Sequence, residues 1–300
     1  ENENDRRMTV ITTSFIPCGA KLPVIAMIAE AFFGGRGWVA FGAYFLGIAA
    51  VVISGIILKK TPLFKGEAAP FVMELPAYRL PSLKSILITT WDRVSSFVKK
   101  ASTIILLAAI LLWFVTYFGW VDGRFQMLER AQIDNSIVAA FGNLIAWFFK
   151  PLGWGEWRPV VAALSGLVAK ETVVTSFGIF YGFSEAAEAG HNAWAGLRAN
   201  FTPLTGASFL VFVLLSAPCI AAISSIRQEM NSPKWTAFAV GYMSLVGYMT
   251  ALVIFQIGTW LQTGFSFWTG IALGYIALVL WLMLRPASAA GRAPMAKKEA

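Results

Sequence analysis

Charge is what this sequence has least of: 13% of its 300 residues are charged. A soluble domain carries roughly 25%, so a water-soluble globule is excluded. Histidine is scarcer still, with His191 alone in a polar loop, and a histidine-rich metal site is excluded with it. Cys18 and Cys219 are the only cysteines, each inside an apolar run, and they imply no disulfide framework. No glycine-rich phosphate loop ending in Lys-Ser/Thr occurs. No His–Ser or His–Cys pairing in the apolar segments could activate a nucleophile. The chain therefore reads as no enzyme and calls for no cofactor. A secretory signal is missing too. The start, Glu1-Asn2-Glu3-Asn4-Asp5-Arg6-Arg7, is polar and lacks Met, and we read the chain as a piece of a longer protein.

Apolar residues fill the space, at 57% of the chain and a mean hydropathy of +0.66. The expected fold is all-α, a polytopic integral membrane helix bundle in the lipid bilayer. The net charge of +8 needs no nucleic acid, because basic cytoplasmic loops produce it. A spanning helix takes about 20 apolar residues. Runs near that length cover 8–33, 37–58, 101–120, 158–183, 203–226, 234–257 and 265–284. The first is interrupted at Pro17 and again at Pro23. A shorter run, 133–149, either spans or dips in and returns. Residues 84–100 read as an amphipathic helix with Leu87, Trp91, Val94 and Val98 on one stripe. That helix lies in the membrane interface or packs under the bundle.

These runs divide the chain into a first gate region (1–58) and a cytoplasmic loop with the amphipathic helix (59–100). Central helices (101–183), a second gate region with the final spans (184–284) and a basic tail (285–300) follow. Lys59, Lys60, Lys65, Arg79, Lys84, Arg93, Lys99 and Lys100 place 59–100 in the cytoplasm, and Arg285, Arg292, Lys297 and Lys298 place the tail there. With 133–149 spanning, the expectation is eight crossings with both ends cytoplasmic.

One tetrapeptide is used twice, as Pro17-Cys18-Gly19-Ala20 and as Pro218-Cys219-Ile220-Ala221. Proline lacks the N–H donor and clashes one turn back, so each run should break there. Freed backbone at membrane depth survives only where protein or a watery cavity partners it. Paired broken segments running in opposite directions are the mark of an inverted repeat around a transport site. A buried cysteine is often just a small hydrophobe. At a break, though, its thiolate suits borderline and soft transition metals over Mg²⁺ and Ca²⁺. Lys170-Glu171 sits mid-run, where each charge costs about 2.5–3.5 kcal/mol on insertion scales. As helical neighbours they cannot face one another, so each needs its own partner: a cation path for Glu171, or a polar clamp between helices. Glu30 reads as an interface or vestibule charge, and Met27, Met230 and Met243 as packing.

Several stretches together resemble ferrous iron transport protein B, the FeoB family, in its C-terminal, gate-containing permease part. They are Pro17-Cys18-Gly19-Ala20-Lys21-Leu22-Pro23, Ala169-Lys170-Glu171 after Pro151-Leu152-Gly153-Trp154, and Pro218-Cys219-Ile220-Ala221-Ala222 before Arg227-Gln228-Glu229. The linker Met73-Glu74-Leu75-Pro76-Ala77-Tyr78-Arg79-Leu80-Pro81 and the closing 242–258 stretch fit as well, so the likeness covers nearly the whole chain.

The resemblance implies a prokaryotic inner-membrane importer with Fe²⁺ as substrate and two gate regions. Cys18, Cys219 and Glu171 would be metal ligands, and Pro17, Gly19, Lys170 and Pro218 would support the path. It further implies partners in the same transporter: an N-terminal GTP-binding domain, a helical spacer and earlier membrane helices. Small cytoplasmic accessory proteins and a homo-oligomer are further partners open to such a permease. An upstream gate cysteine of the family has no counterpart here. Lys21 stands where the family usually has Arg, and Glu30 where a small residue is expected. Competing readings are a gate-type permease for nucleosides or another divalent metal, and a membrane scaffold without a path.

Overall fold

The computed structural model describes residues 3–61, 64, 82–121, 124–181 and 194–285. Most of loop 59–83, the loop holding Glu185, Glu188 and His191, and the tail from 286 lie outside the described residues.

The first gate run breaks where proline requires it. Helix α1 (Glu3–Thr13) ends four residues before Pro17, and a 3-10 turn at Gly19–Lys21 leads into α2 (Leu22–Phe33). Pro23 does not interrupt the run as expected. It lies in the first turn of α2, where its missing N–H would have no helical acceptor. Helix α3 (Trp38–Lys60) then follows as a plain span.

The amphipathic helix and the next span are not separate. They form one 35-residue helix, α4 (Leu83–Tyr117), which runs through the 100/101 boundary. At 1.5 Å per residue it is about 52 Å long, well beyond the ~30 Å hydrocarbon core. Its expected stripe, Leu87, Trp91, Val94 and Val98, is exposed rather than packed under the bundle. A small hairpin follows that the apolar pattern did not foretell. Strands β1 (Phe118–Val121) and β2 (Arg124–Met127) pair antiparallel, Phe118 opposite Met127.

Helix α5 (Ile137–Phe149) meets α6 (Trp157–Val168) at a bend of 97°. Gly153 makes the corner at φ +89°, and a β-carbon there would fall 2.1 Å from the Phe255 ring. Only glycine fits such a position. Later helices hold the corner's carbonyls. Ser208 Oγ donates to Leu152 O (2.9 Å) and Ala251 O (3.2 Å), Gln256 Nε2 to Pro151 O (2.6 Å), and the Tyr248 hydroxyl to Phe148 O (2.7 Å).

The expected single span over 158–183 is also broken. Ala169–Glu171 separate α6 from α7 (Thr172–Tyr181). Thr172 Oγ1 lies within hydrogen-bonding reach of Ser165 O (2.9 Å) and Ala169 O (2.7 Å), adding a side-chain donor at the end of α6, where Ala169 N–H closes the last turn on Ser165 O (3.3 Å). Gly166 leaves room for Val173 to fold in. Lys170 and Glu171 are therefore not helical neighbours, contrary to the reading above.

After the short α8 (Ala195–Asn200), α9 (Pro203–Leu215) stops before Pro218, and α10 (Ile220–Met230) starts with Cys219 as its N-cap. Helices α11 (Pro233–Thr263) and α12 (Phe267–Leu284) close the described chain. Among the described residues, four helices are long and apolar enough to cross a membrane by length and composition, or five if the bent pair is one span. The four are α3, the second broken segment from Pro203 to Met230 taken as one, α11 and α12, beside the eight crossings expected from the apolar runs. The core lies around α9, which packs against α2, α3 and α11 and buries Ser208, Phe209, Leu214 and Leu215. Met27, Met230 and Met243 are buried packing residues, as expected.

Candidate functional site

The two broken segments lie side by side and run in opposite directions. Helix α1 packs against α10 and α2 against α9, so the start of one segment meets the end of the other. Contacts mark three levels of this crossing. At one end Arg6 pairs with Glu229 at 3.6 Å. At the other, the Phe32 ring lies 2.9 Å from where a β-carbon on Gly206 would stand. Between them Lys21 Nζ reaches from the first break to Leu214 O in the second, at 2.6 Å.

The helix after each broken segment seats a glycine against its break. A β-carbon on Gly47 of α3 would meet Phe15 O at 2.9 Å and Pro17 Cδ at 3.0 Å. One on Gly247 of α11 would meet Ser216 N at 2.6 Å. The inverted repeat thus extends beyond the tetrapeptide to the following helix.

Both cysteines carry free thiols, Cys18 exposed and Cys219 half-buried. Each sits at a helix start, Cys18 before the 3-10 turn and Cys219 before α10, where N–H groups point outward and negative charge is favoured. Lys170, 2% exposed at the third break, interacts electrostatically with Lys21, Cys219 and Cys18. Lys21, also 2% exposed, interacts with both cysteines. Three chain breaks therefore bring two thiols and two lysines into one electrostatic neighbourhood. Glu171 is exposed on the far side of Lys170 in sequence. Among the described residues no three His, Cys, Asp or Glu side chains group so as to hold a metal. Pro17, Gly19 and Pro218 lie in the breaks themselves.

Lys21 was overlooked as a site residue when the sequence was read from its apolar runs. The membrane cost applied to Lys170 and Glu171 applies equally to a lysine three residues after Cys18, and it would have found this one.

Comparison with known proteins places the architecture. Residues 98–233 match the family model Gate, described as nucleoside recognition, and residues 40–93 match the model for the ferrous iron transport protein B C terminus. The fold and site define a multi-pass, all-helical membrane protein of the gate class. Relatives include the Fe(2+) transporter FeoB of Methanocaldococcus jannaschii, 37% identical over 86% of this chain and 38% of its own length. The Fe(2+) transporter FeoB of Staphylococcus aureus strain COL is 33% identical over 86% of this chain and 37% of its own. A Porphyromonas gingivalis protein named as a fusion of Fe(2+) transport protein A and Fe(2+) transporter FeoB is 31% identical over 86% of this chain and 35% of its own. The chain belongs to the FeoB family and corresponds to its C-terminal, gate-containing part. It spans 37% of the length of the S. aureus relative. No solved structure matches it.

Proposed function

We propose that this chain is the permease core of a ferrous iron importer in the prokaryotic cytoplasmic membrane, with both ends of the chain facing the cytoplasm. One observation carries the reading: two oppositely running broken segments cross where Cys18 and Cys219 share the field of the same two lysines. Thiolates and loose carbonyls hold a borderline divalent ion and discriminate against Mg²⁺ and Ca²⁺. A site without a complete cage also lets the ion leave, as transport requires. Glu171, exposed beside the third break, serves as the carboxylate of the approach. Pro17, Gly19 and Pro218 keep the breaks open, and Lys170 lines them.

The relatives' names supply the ion. Their greater length leaves room for the GTP-binding domain and earlier membrane helices that would complete the path. The fused P. gingivalis relative supports a small accessory protein as partner, and self-association of the assembled transporter belongs to the same proposal. The nucleoside reading rests on the description of one family model alone; the groups that converge here are thiols and amines.

The test is Fe²⁺ uptake by the complete transporter in vesicles, with Mn²⁺, Zn²⁺, Mg²⁺ and Ca²⁺ as competitors. Uptake should be inhibited by the transition metals, be indifferent to Mg²⁺ and Ca²⁺, and fall when Cys18 and Cys219 are both changed to Ser. Undiminished uptake by the double variant would exclude a path between the thiols.

A further inference from the structure

Lys21 occupies the place where a passing cation would find its best backbone ligands. Its Nζ donates to Ser14 O at 3.2 Å and to Leu214 O at 2.6 Å. Ser14 follows the last residue of α1, and Leu214 is the penultimate residue of α9. The last carbonyls of a helix have no intrahelical partner and form its negative end. One amine therefore joins the C-terminal ends of two half-helices from opposite repeats. In discontinuous transporter helices such ends and unwound carbonyls are what coordinate cations. The lysine is not duplicated: Ala222 stands at the same offset after Cys219, so the first repeat supplies the amine that is hydrogen-bonded to both segments.

We infer that Lys21 is a tethered cation that latches the crossing shut and must leave these two carbonyls when a divalent ion passes the thiols. This rests on the transport reading above. A divalent ion between Cys18 and Cys219 would be repelled by an ammonium in the same electrostatic neighbourhood, and in the buried crossing that repulsion is weakly screened. The ion and the lysine therefore exclude each other. Lysine suits such a role, because its charge is a compact point on a flexible four-carbon stem that can withdraw. With the amine in place, Ser14 O and Leu214 O each accept a hydrogen bond without metal.

Two measurements on the complete transporter in proteoliposomes test the latch. In the wild type, a small amine-modifying reagent should reach Lys21 slowly without metal and roughly tenfold faster with saturating Fe²⁺, Mn²⁺ or Zn²⁺, a ratio matching the loss of charge-assisted hydrogen bonds. The exposed Lys84 serves as internal reference in the mass spectrum. Equal modification of Lys21 under all metals and none would overturn the latch.

In the second measurement, Lys21→Met keeps length but removes the charge. Without metal it should raise both the labelling rate of Cys219 and the basal metal leak roughly tenfold, while Lys21→Arg stays near wild type. Wild-type labelling and leak in folded Lys21→Met would sink the idea. If Lys21→Met fails to fold, the wild-type amine measurement decides alone. The iron reading fails separately: vesicles that take up no Fe²⁺, yet show Cys219 opened by Lys21→Met, would refute the substrate and keep the latch.

Discussion

Gly247 of α11 lies against Ser216 so closely that a β-carbon on the glycine would stand 2.6 Å from the serine's backbone nitrogen. Gly47 of α3 stands in the same relation to Phe15 and Pro17 at the other break. A side chain at either position must push a helix off the end of a broken segment, where Ser216 N–H closes α9 on Phe212 O (2.8 Å) and Phe15 N–H bonds back to Thr12 O (3.1 Å).

Gly247→Val and Gly47→Val should each destabilise the folded protein by about 1–3 kcal/mol, the usual cost of overpacking. Gly241→Ala, with open space around it, should be near neutral. Thermal unfolding in detergent checks all three. A Gly247→Val protein as stable as Gly241→Ala would mean that α11 does not seat the break as described.

The corner between α5 and α6 gives a second stability test. Ser208 is fully buried, and its one hydroxyl proton is shared between Leu152 O and Ala251 O. Ser208→Ala leaves both without that donor and should cost about 1–3 kcal/mol. Gly153→Ala adds left-handed strain and a clash with Phe255, and should lower folded yield more than Ser208→Ala does. Folded yields in the opposite order would point to a corner that can relax around the added methyl.

Thiol chemistry separates the cysteines. A small water-soluble reagent should modify the exposed Cys18 faster than the half-buried Cys219, and Fe²⁺ should slow both reactions. Labelling followed by mass spectrometry reads the two sites independently. Inertness of both thiols in the working transporter would assign them to packing.

Glu171→Gln keeps the shape of the side chain and removes its charge. On the proposed path its loss should weaken apparent Fe²⁺ affinity roughly tenfold, about 1.4 kcal/mol, with the folded amount unchanged because the side chain is exposed. Uptake per folded molecule is the measurement. An unchanged value would take Glu171 off the path, and a drop in folded protein alone would make it a structural residue.

Much of this was written in the residues themselves. Low charge and long apolar runs determine a helical membrane protein, because burying uncompensated backbone in lipid leaves few other choices. Pro17 and Pro218 determine where two of those runs stop, since proline removes a donor wherever it stands in a helix interior. The repeated Pro-Cys tetrapeptide announces that the two stops are related. The third stop, at Ala169–Glu171, has no proline. It lies where Thr172 Oγ1 reaches the Ser165 and Ala169 carbonyls and Gly166 admits Val173, a packing that no local propensity reports. Tertiary structure likewise decided the partners of Lys21. Leu214 lies 193 residues further along the chain, and only the opposed packing of α1 on α10 and α2 on α9 brings its carbonyl to the amine. A hydrogen bond across that separation depends on how two helices cross, and the pattern along either one carries no record of it.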